Sequence, residues 1–522
     1  MRKLIFAVPL LTFVSATFAF DPPKPVKPIK PIFKMSRETT YITEPLDKDG
    51  YPDYETALNE KLRGTIKPEN NACILLWKAI GPTPEGGKPL HADYWKWLGA
   101  DCPTEKGDYF IDAFKYFKKT GRTEFGEADY DLHSRLSFAP WKAEDHRDYA
   151  LWLEANETPL AIVVEAVKRK EYYSPHVARN DKGEKSMLFE GLLPHLQKYR
   201  EICDALLKRA MLRIGQKKYD LAWTDLMTCN RMARHIGKKG SLIEMLVSYA
   251  IEQIAIRGDI AFLEFSRFDS NQFRKHFEEF DSLPALTRVG TNYGLTERFY
   301  LLDATARIHR DGTQVINDLI GVEKKQIKDE ENRFLKNMNW SITFQVITRR
   351  FDREATILLE KDHAKRKSGL LKYEEESKRQ RASFSLVMDD FQNQLLDGNV
   401  DDVFADRLGQ YITFLLMPAS FKVSVAEERC IQGVQNTRLA FALAAYHADT
   451  KKYPATLDAL APKYLAAIPN DLFSGKPLIY KPTETGYLLY SVGLNEKDDG
   501  GKFYSDEDRG DDIGVRMPGK KK

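Results

Sequence analysis

Apolar and polar positions follow a helical period over most of this chain and a strand period only near its end. Pro68-Glu69-Asn70-Asn71 opens a segment in which Ile74, Leu75, Trp77 and Ile80 recur at helical spacing until Gly81-Pro82 stops it. Thr158 to Lys170 is another, with Ile162, Val163 and Val167 facing inward. Leu192 to Phe265 is the clearest block. Leu206, Ala210 and Leu212 precede a turn at Gly215-Gln216, and Tyr219, Ala222, Leu226 and Cys229 follow it. Ser241 and Glu244 have capping-box spacing and start a helix with Ile243, Leu246, Val247, Ala250, Ile251 and Ile254 on a broad apolar face. Trp340, Phe344, Ile347 and Phe351 mark the core side of a further helix.

The polar stretches divide these elements. Glu323 to Arg333 and Glu360 to Arg381 read as solvated helix faces or exposed turns, and Asn399 to Asp402 as a connection. Tyr411 to Met417 is apolar and Pro418 breaks it. Tyr41-Ile42-Thr43-Glu44 predicts a short strand before an Asp47-Lys48-Asp49-Gly50 turn. That turn is not an EF-hand, because Pro45 stands at its first ligand position and no bidentate Glu closes it. Tyr219, Ala222, Leu226 and Cys229 resemble half of a tetratricopeptide repeat, but no second copy follows, so an ordinary helical hairpin is expected.

The N-terminus has the form of a cleaved export signal over residues 1–19. Arg2 and Lys3 precede an apolar run from Leu4 to Val14, and small residues end it at Ala19. Residues 20–38 form a Pro/Lys-rich linker. Within it Lys24, Lys27 and Lys30 and then Pro25, Pro28 and Pro31 recur every third residue, as a polyproline II spacer would. No later segment is apolar enough to span a bilayer, so a periplasmic or secreted protein is expected. With 79 basic against 76 acidic groups the chain is nearly neutral, which argues against general nucleic-acid binding. Five cysteines leave one over. Cys203 and Cys229 lie equally far from the Gly215-Gln216 turn, level across an antiparallel pair, and are a candidate disulfide.

From Asn436 the pattern changes. Leu439, Ala442, Leu443 and Tyr446 form one apolar helix face, Tyr453-Pro454 turns the chain, and Tyr487 to Val492 suits a strand packed over the helix. The expected fold is mainly α: a multi-helix body over residues 39–424, then a small α+β domain of helix plus antiparallel sheet over 425–522. Between Asn495 and Asp512 eight acidic residues face three basic ones, a net charge of −5.

Three stretches carry a resemblance. Leu439 to Pro454, Asp471 to Tyr480 and Gly486 to Gly493, with Gly510-Asp511-Asp512-Ile513 at the close, resemble the globular part of the major pseudopilin of type II secretion systems. The whole chain also resembles a family of exported bacterial proteins with the same helical body. The pseudopilin resemblance implies a calcium ion in the acidic loop, with Asp511 and Asp512 as first candidates and Asn495, Asp498 and Asp499 beside them. It departs from that family in the neutral Asn495 and in the inserted Lys502 to Asp508. Val425 to Gln435 is too charged to be a polymerising stem, so filament assembly is not implied.

Isolated residues offer little chemistry. Asp145-His146-Arg147-Asp148 lacks the phosphate loop of a kinase and reads as a surface ion cluster. Glu252 lies in an apolar helix with Arg231, Arg234 and His235 on the preceding one, which predicts a structural ion pair ahead of a general acid. No HExxH, GxSxG or P-loop occurs. The leading expectation is an exported, non-enzymatic scaffold or interaction protein with a calcium-ordered head and an envelope protein or polymer as partner. The alternatives are an exported hydrolase or lyase using carboxylates of the body (Glu252 or Asp148), and an accessory part of a secretion apparatus.

Overall fold

The computed structural model describes residues 30–312, 315, 338–397, 402–416 and 420–519. The expected signal segment 1–19, residues 20–29 of the expected linker, the charged stretch 323–333, residues 399–401 of the expected connection, and Met417 and Pro418 lie outside the described residues.

The chain folds through α1 (Tyr54–Arg63), α2 (Ala72–Ile80), α3 (Ala92–Leu98), α4 (Ala113–Lys119), α5 (Glu127–Arg135), α6 (Arg147–Ala155) and α7 (Glu157–Ala166). Three longer helices follow: α8 (His195–Gly215), α9 (Tyr219–Lys238) and α10 (Leu242–Phe265). After α11 (Ser270–Asp281), α12 (Val289–Asn292) passes through a π-turn, Tyr293–Glu297, into α13 (Arg298–Asp311). The remainder is α14 (Trp340–Leu359), α15 (His363–Asp397), α16 (Asp402–Leu416) and α17 (Ser420–Thr450), followed by strands β1 (Ile479–Pro482), β2 (Tyr487–Ser491) and β3 (Ile513–Met517). The fold is mainly α with a small α+β part at its C-terminal end, as the hydrophobic pattern predicts.

Local chemistry explains the starts and stops. The Asn71 side chain accepts from the Cys73 amide and caps α2, which Gly81 ends at φ 78°. Ser241 and Glu244 form the expected capping box on α10. α8 and α9 make the expected hairpin and pack together with α10. Ile243, however, is 59% exposed. Its neighbours Leu242, Glu244 and Met245 are buried in its place, and of the expected face only Ile251 is fully buried, with Leu246, Val247, Ala250 and Ile254 partly so.

The predicted strand at 41–44 does not form. Tyr41 adopts φ 62°, which no strand tolerates, and its ring lies under the Arg298 guanidinium at 4.0 Å. The end of the linker is no free spacer either. Phe33 is buried against Phe344 at a centroid distance of 4.6 Å, and the Lys34 amide donates to the Ser341 hydroxyl.

Two apolar clusters make the core. One gathers α2, α3, α8, α9, α11, the second half of α10, the second half of α17 and the sheet. The other gathers α1, α13, α14, α16 and the first halves of α10 and α17. The expected boundary at 424/425 therefore falls inside α17, a helix that belongs to both clusters. The charges in its first half are compensated rather than solvated: Glu427 pairs with Arg288, and Glu428 with Arg366 and His363. Arg366 is itself 1% exposed, so the stretch 360–381 is not wholly a solvated face.

The sheet has order β1-β2-β3, antiparallel throughout, with Tyr487 opposite Pro482 on one side and Met517 on the other. Tyr487, Leu489, Val515 and Met517 turn inward to the cluster that contains Leu439 and Leu443 of α17. Among the described residues no helix is long and apolar enough to cross a membrane.

Candidate functional site

A cleft of ≈ 480 Å³ opens in the helical body. Its walls are the turn 46–50, the start of α1, the segment 185–188 and one face of α13. The turn is built by Asp47, whose carboxylate accepts from the Asp49 and Tyr51 amides at 2.9 Å, while Gly50 takes φ 88°. Asp53 caps α1 through the Thr56 amide. α13 contributes Asp303, Arg307 and Arg310 on successive turns of one face. Behind the cleft, the Tyr51 hydroxyl lies 2.6 Å from His309 Nδ1. Burial lowers His309 to about 4, so the ring is uncharged at neutral pH.

The cleft lining carries five carboxylates (Asp47, Asp49, Asp53, Glu55 and Asp303) and four cations (Lys48, Lys185, Arg307 and Arg310). Most are already matched. Lys185 holds both oxygens of Asp53 at 2.9–3.0 Å, and Arg179 grips Glu55 at 2.7 and 2.9 Å. Arg310 reaches Asp47 at 3.4 Å and Asp311 at 3.0 Å. Asp303 takes the Leu188 amide at 2.9 Å and faces Arg307 at 3.5 Å. Burial pushes Asp303 up, against the pull of Arg307. Burial also opposes ionisation of Asp53, but Lys185 and the Thr56 amide outweigh it and hold that carboxyl low. The cleft was not legible in the sequence, because its walls are distant in the chain. Only the turn at 47–50 gave a signal.

The acidic C-terminal loop is ordered by its own side chains. Asp499 accepts from the Asp511 amide at 2.7 Å and from the Asn495 side-chain amide at 3.1 Å. The Asp511 carboxylate accepts from the Asn495 backbone amide at 2.9 Å. Asp512 accepts from the Gly501 amide at 2.8 Å, and Asp498 from the Tyr490 hydroxyl at 2.9 Å and the Gly500 amide at 2.8 Å. Asn495 Oδ1 is taken by the Lys497 amide. Cations come partly from the body: Arg429 of α17 meets Asp511 at 2.5 Å, and Lys367 of α15 meets Glu496 at 2.6 Å. Arg516 of β3 adds a bond to Asp506 at 3.1 Å. Burial raises Asp512, and Asp499 and Asp498 add to the shift.

These five residues share one loop but do not fit a calcium ion as placed. A calcium ion wants ~6–8 oxygens around a point, and here the carboxylates are turned onto separate amides, a tyrosine and an arginine. Among the described residues no group of three or more His, Cys, Asp or Glu is arranged to hold a metal.

The other sequence candidates are placed as follows. Cys203 and Cys229 are both buried and do face each other across the α8–α9 hairpin, but as free thiols: Cys229 Sγ donates to the Cys203 carbonyl at 3.7 Å. Glu252 is fully buried and paired with Arg234, whose guanidinium burial lowers to about 10. Arg231 instead pairs with Glu279, and His235 bonds the Val167 carbonyl. Asp148 is exposed at the start of α6, so it and Glu252 do not share a site. Compared with protein-family models, curated proteins and solved structures, the chain has no match.

Proposed function

We propose that the chain is an exported, non-enzymatic interaction protein of the cell envelope, with the helical body as scaffold and the sheet-bearing end as the presented surface. One observation carries this reading: the carboxylates nearest to catalysis are spent on structure. In the cleft Asp53 is a helix cap and a lysine partner, Glu55 is chelated by Arg179, and Asp47 builds a turn. A general acid or base must be free to meet a substrate proton, and these are not. The calcium that the pseudopilin resemblance implies takes no part in the proposal, since the loop carboxylates are already committed to amides and to Arg429.

A second reading has one specific support. Asp303 lines the same cleft and burial holds its carboxyl above the usual range, as a general acid requires. The two readings part on a simple assay. The purified mature chain is incubated with chromogenic glycosides, phosphoesters, carboxylic esters and peptides, beside its Asp303→Asn variant. No turnover above the variant is expected. Turnover that Asp303→Asn abolishes would replace the scaffold reading with the hydrolase.

A further inference from the structure

A second concavity, ≈ 200 Å³, runs between α14 and α15 on the far side of α14 from the core. One wall is Arg349, Arg350 and Arg353, which fall within a single turn of α14. The other is α15, with Tyr373, Glu376, Ser377 and Gln380. Three guanidinium groups here face one carboxylate.

Their partners show how the charge is left. Glu376 answers Arg353 at 2.6 Å. Arg349 bonds the neutral Gln345 side chain at 3.2 Å, and Arg350 bonds the neutral Gln380 and Ser377 at 3.0 and 3.2 Å. Arg350 Nε is buried without a hydrogen-bond acceptor. Glu354 feels the Arg350 charge but lies in the core, where it takes the Tyr293 and Ser420 hydroxyls and burial raises its pKa. Among the described residues the groove lining is therefore net positive, and the Arg350 Nε donor is unspent.

The groups are also held in place. The Arg350 guanidinium lies 4.4 Å from the centre of the Phe414 ring and 5.7 Å from that of Tyr373, and Arg353 lies 5.4 Å from the same tyrosine. Stacking fixes the planes of the forks before any ligand arrives. Paired guanidinium forks match tetrahedral and planar oxyanions in a bidentate way. The volume falls below the ~300–1,000 Å³ of pockets for drug-sized molecules, so the groove suits a small headgroup.

We infer that this groove is a binding site for a tetrahedral oxyanion, phosphate or sulfate, either free or carried as a monoester. The inference is independent of the proposed scaffold role and of the cleft. Neither Arg349 nor Arg353 packs in the core, so both can be removed while Arg350 keeps its place on Phe414.

The test is thermal unfolding of the mature chain in sodium sulfate or sodium phosphate, against sodium chloride at equal ionic strength. Both anions also stabilise proteins by exclusion from the surface, so the quantity read is the difference between wild type and variant. Wild type is expected to gain about 2 °C more than Arg349→Ala/Arg353→Ala at about 10 mM anion. Arg350→Lys keeps the charge but not the fork, and is expected to lose most of that gain. Equal shifts in wild type and the double variant would overturn the site. Phenyl phosphate separates the sources: a shift as large as that of inorganic phosphate identifies an ester-borne group, and a smaller one the free anion.

Discussion

Glu244 sits fully buried at the start of α10, with one oxygen shared among the Ser241 amide at 2.7 Å, its hydroxyl at 3.0 Å and His176 Nε2 at 3.4 Å. Burial raises this carboxyl to about 7 and lowers His176 to about 4, while Tyr300 closes the chain on His176 Nδ1 at 2.6 Å. The sequence revealed the cap through the Ser-x-x-Glu spacing but not its histidine, which arrives from a distant loop. The sign of the pH effect follows from the raised value. The unfolded carboxyl titrates near 4.5 and the folded one near 7. Stability from this group is thus fully present below about pH 4.5 and is lost as pH rises through about 7, by on the order of 3 kcal/mol. Glu297 and Asp259, also raised to about 7 by burial, act in the same direction. Glu244→Gln keeps a carbonyl for the cap and cannot ionise. Urea unfolding at about pH 5 and about pH 8 should show a smaller loss in the variant than in wild type. Equal losses would mean that Glu244 stays charged in the fold.

Among the elements, those with a complete local code were legible and those completed by distant partners were not. α2, α10 and the α8–α9 hairpin announced themselves by apolar period, caps and a glycine turn. β2 followed from the bulk and alternation of Tyr487 to Val492. β3 was missed, although Ile513, Val515 and Met517 alternate, because the acidic run before it reads as a loop. In the structure that loop is tied at Gly493, which adopts φ 65° and leaves an added Cβ only 2.7 Å from an Asp511 side-chain oxygen. Asp511 in turn anchors Asn495 and Arg429. Gly493→Ala is expected to cost about 1–3 kcal/mol of local stability through that strained backbone and crowding. Hydrogen exchange should then quicken across residues 495–512 while α8 and α9 keep their protection. Unchanged exchange in the loop would show that it is not tied there. For α14 the core side was legible through Trp340, Phe344, Ile347 and Phe351, but the arginine groove on its other face was not.

At the scale of the whole molecule, the C-terminal end is built into the body rather than appended to it. α17 carries Val423 and Cys430 in one apolar cluster and Leu439, Phe441 and Leu443 in the other. Removing one partner of a buried ion pair such as Arg366–Glu428 typically costs ~3–5 kcal/mol, so α17 is fixed by charge as well as by packing. Lys367 and Arg429 then extend that attachment to the acidic loop. A scaffold that presents a surface needs this rigidity. A head switched by a cation would need the opposite: a part able to order and loosen by itself. Differential scanning calorimetry of the protein, with added calcium and then with chelator, separates the two directly. One cooperative transition is predicted, at the same temperature in both conditions. Two transitions, with the lower one moving upward on calcium addition, would contradict the account.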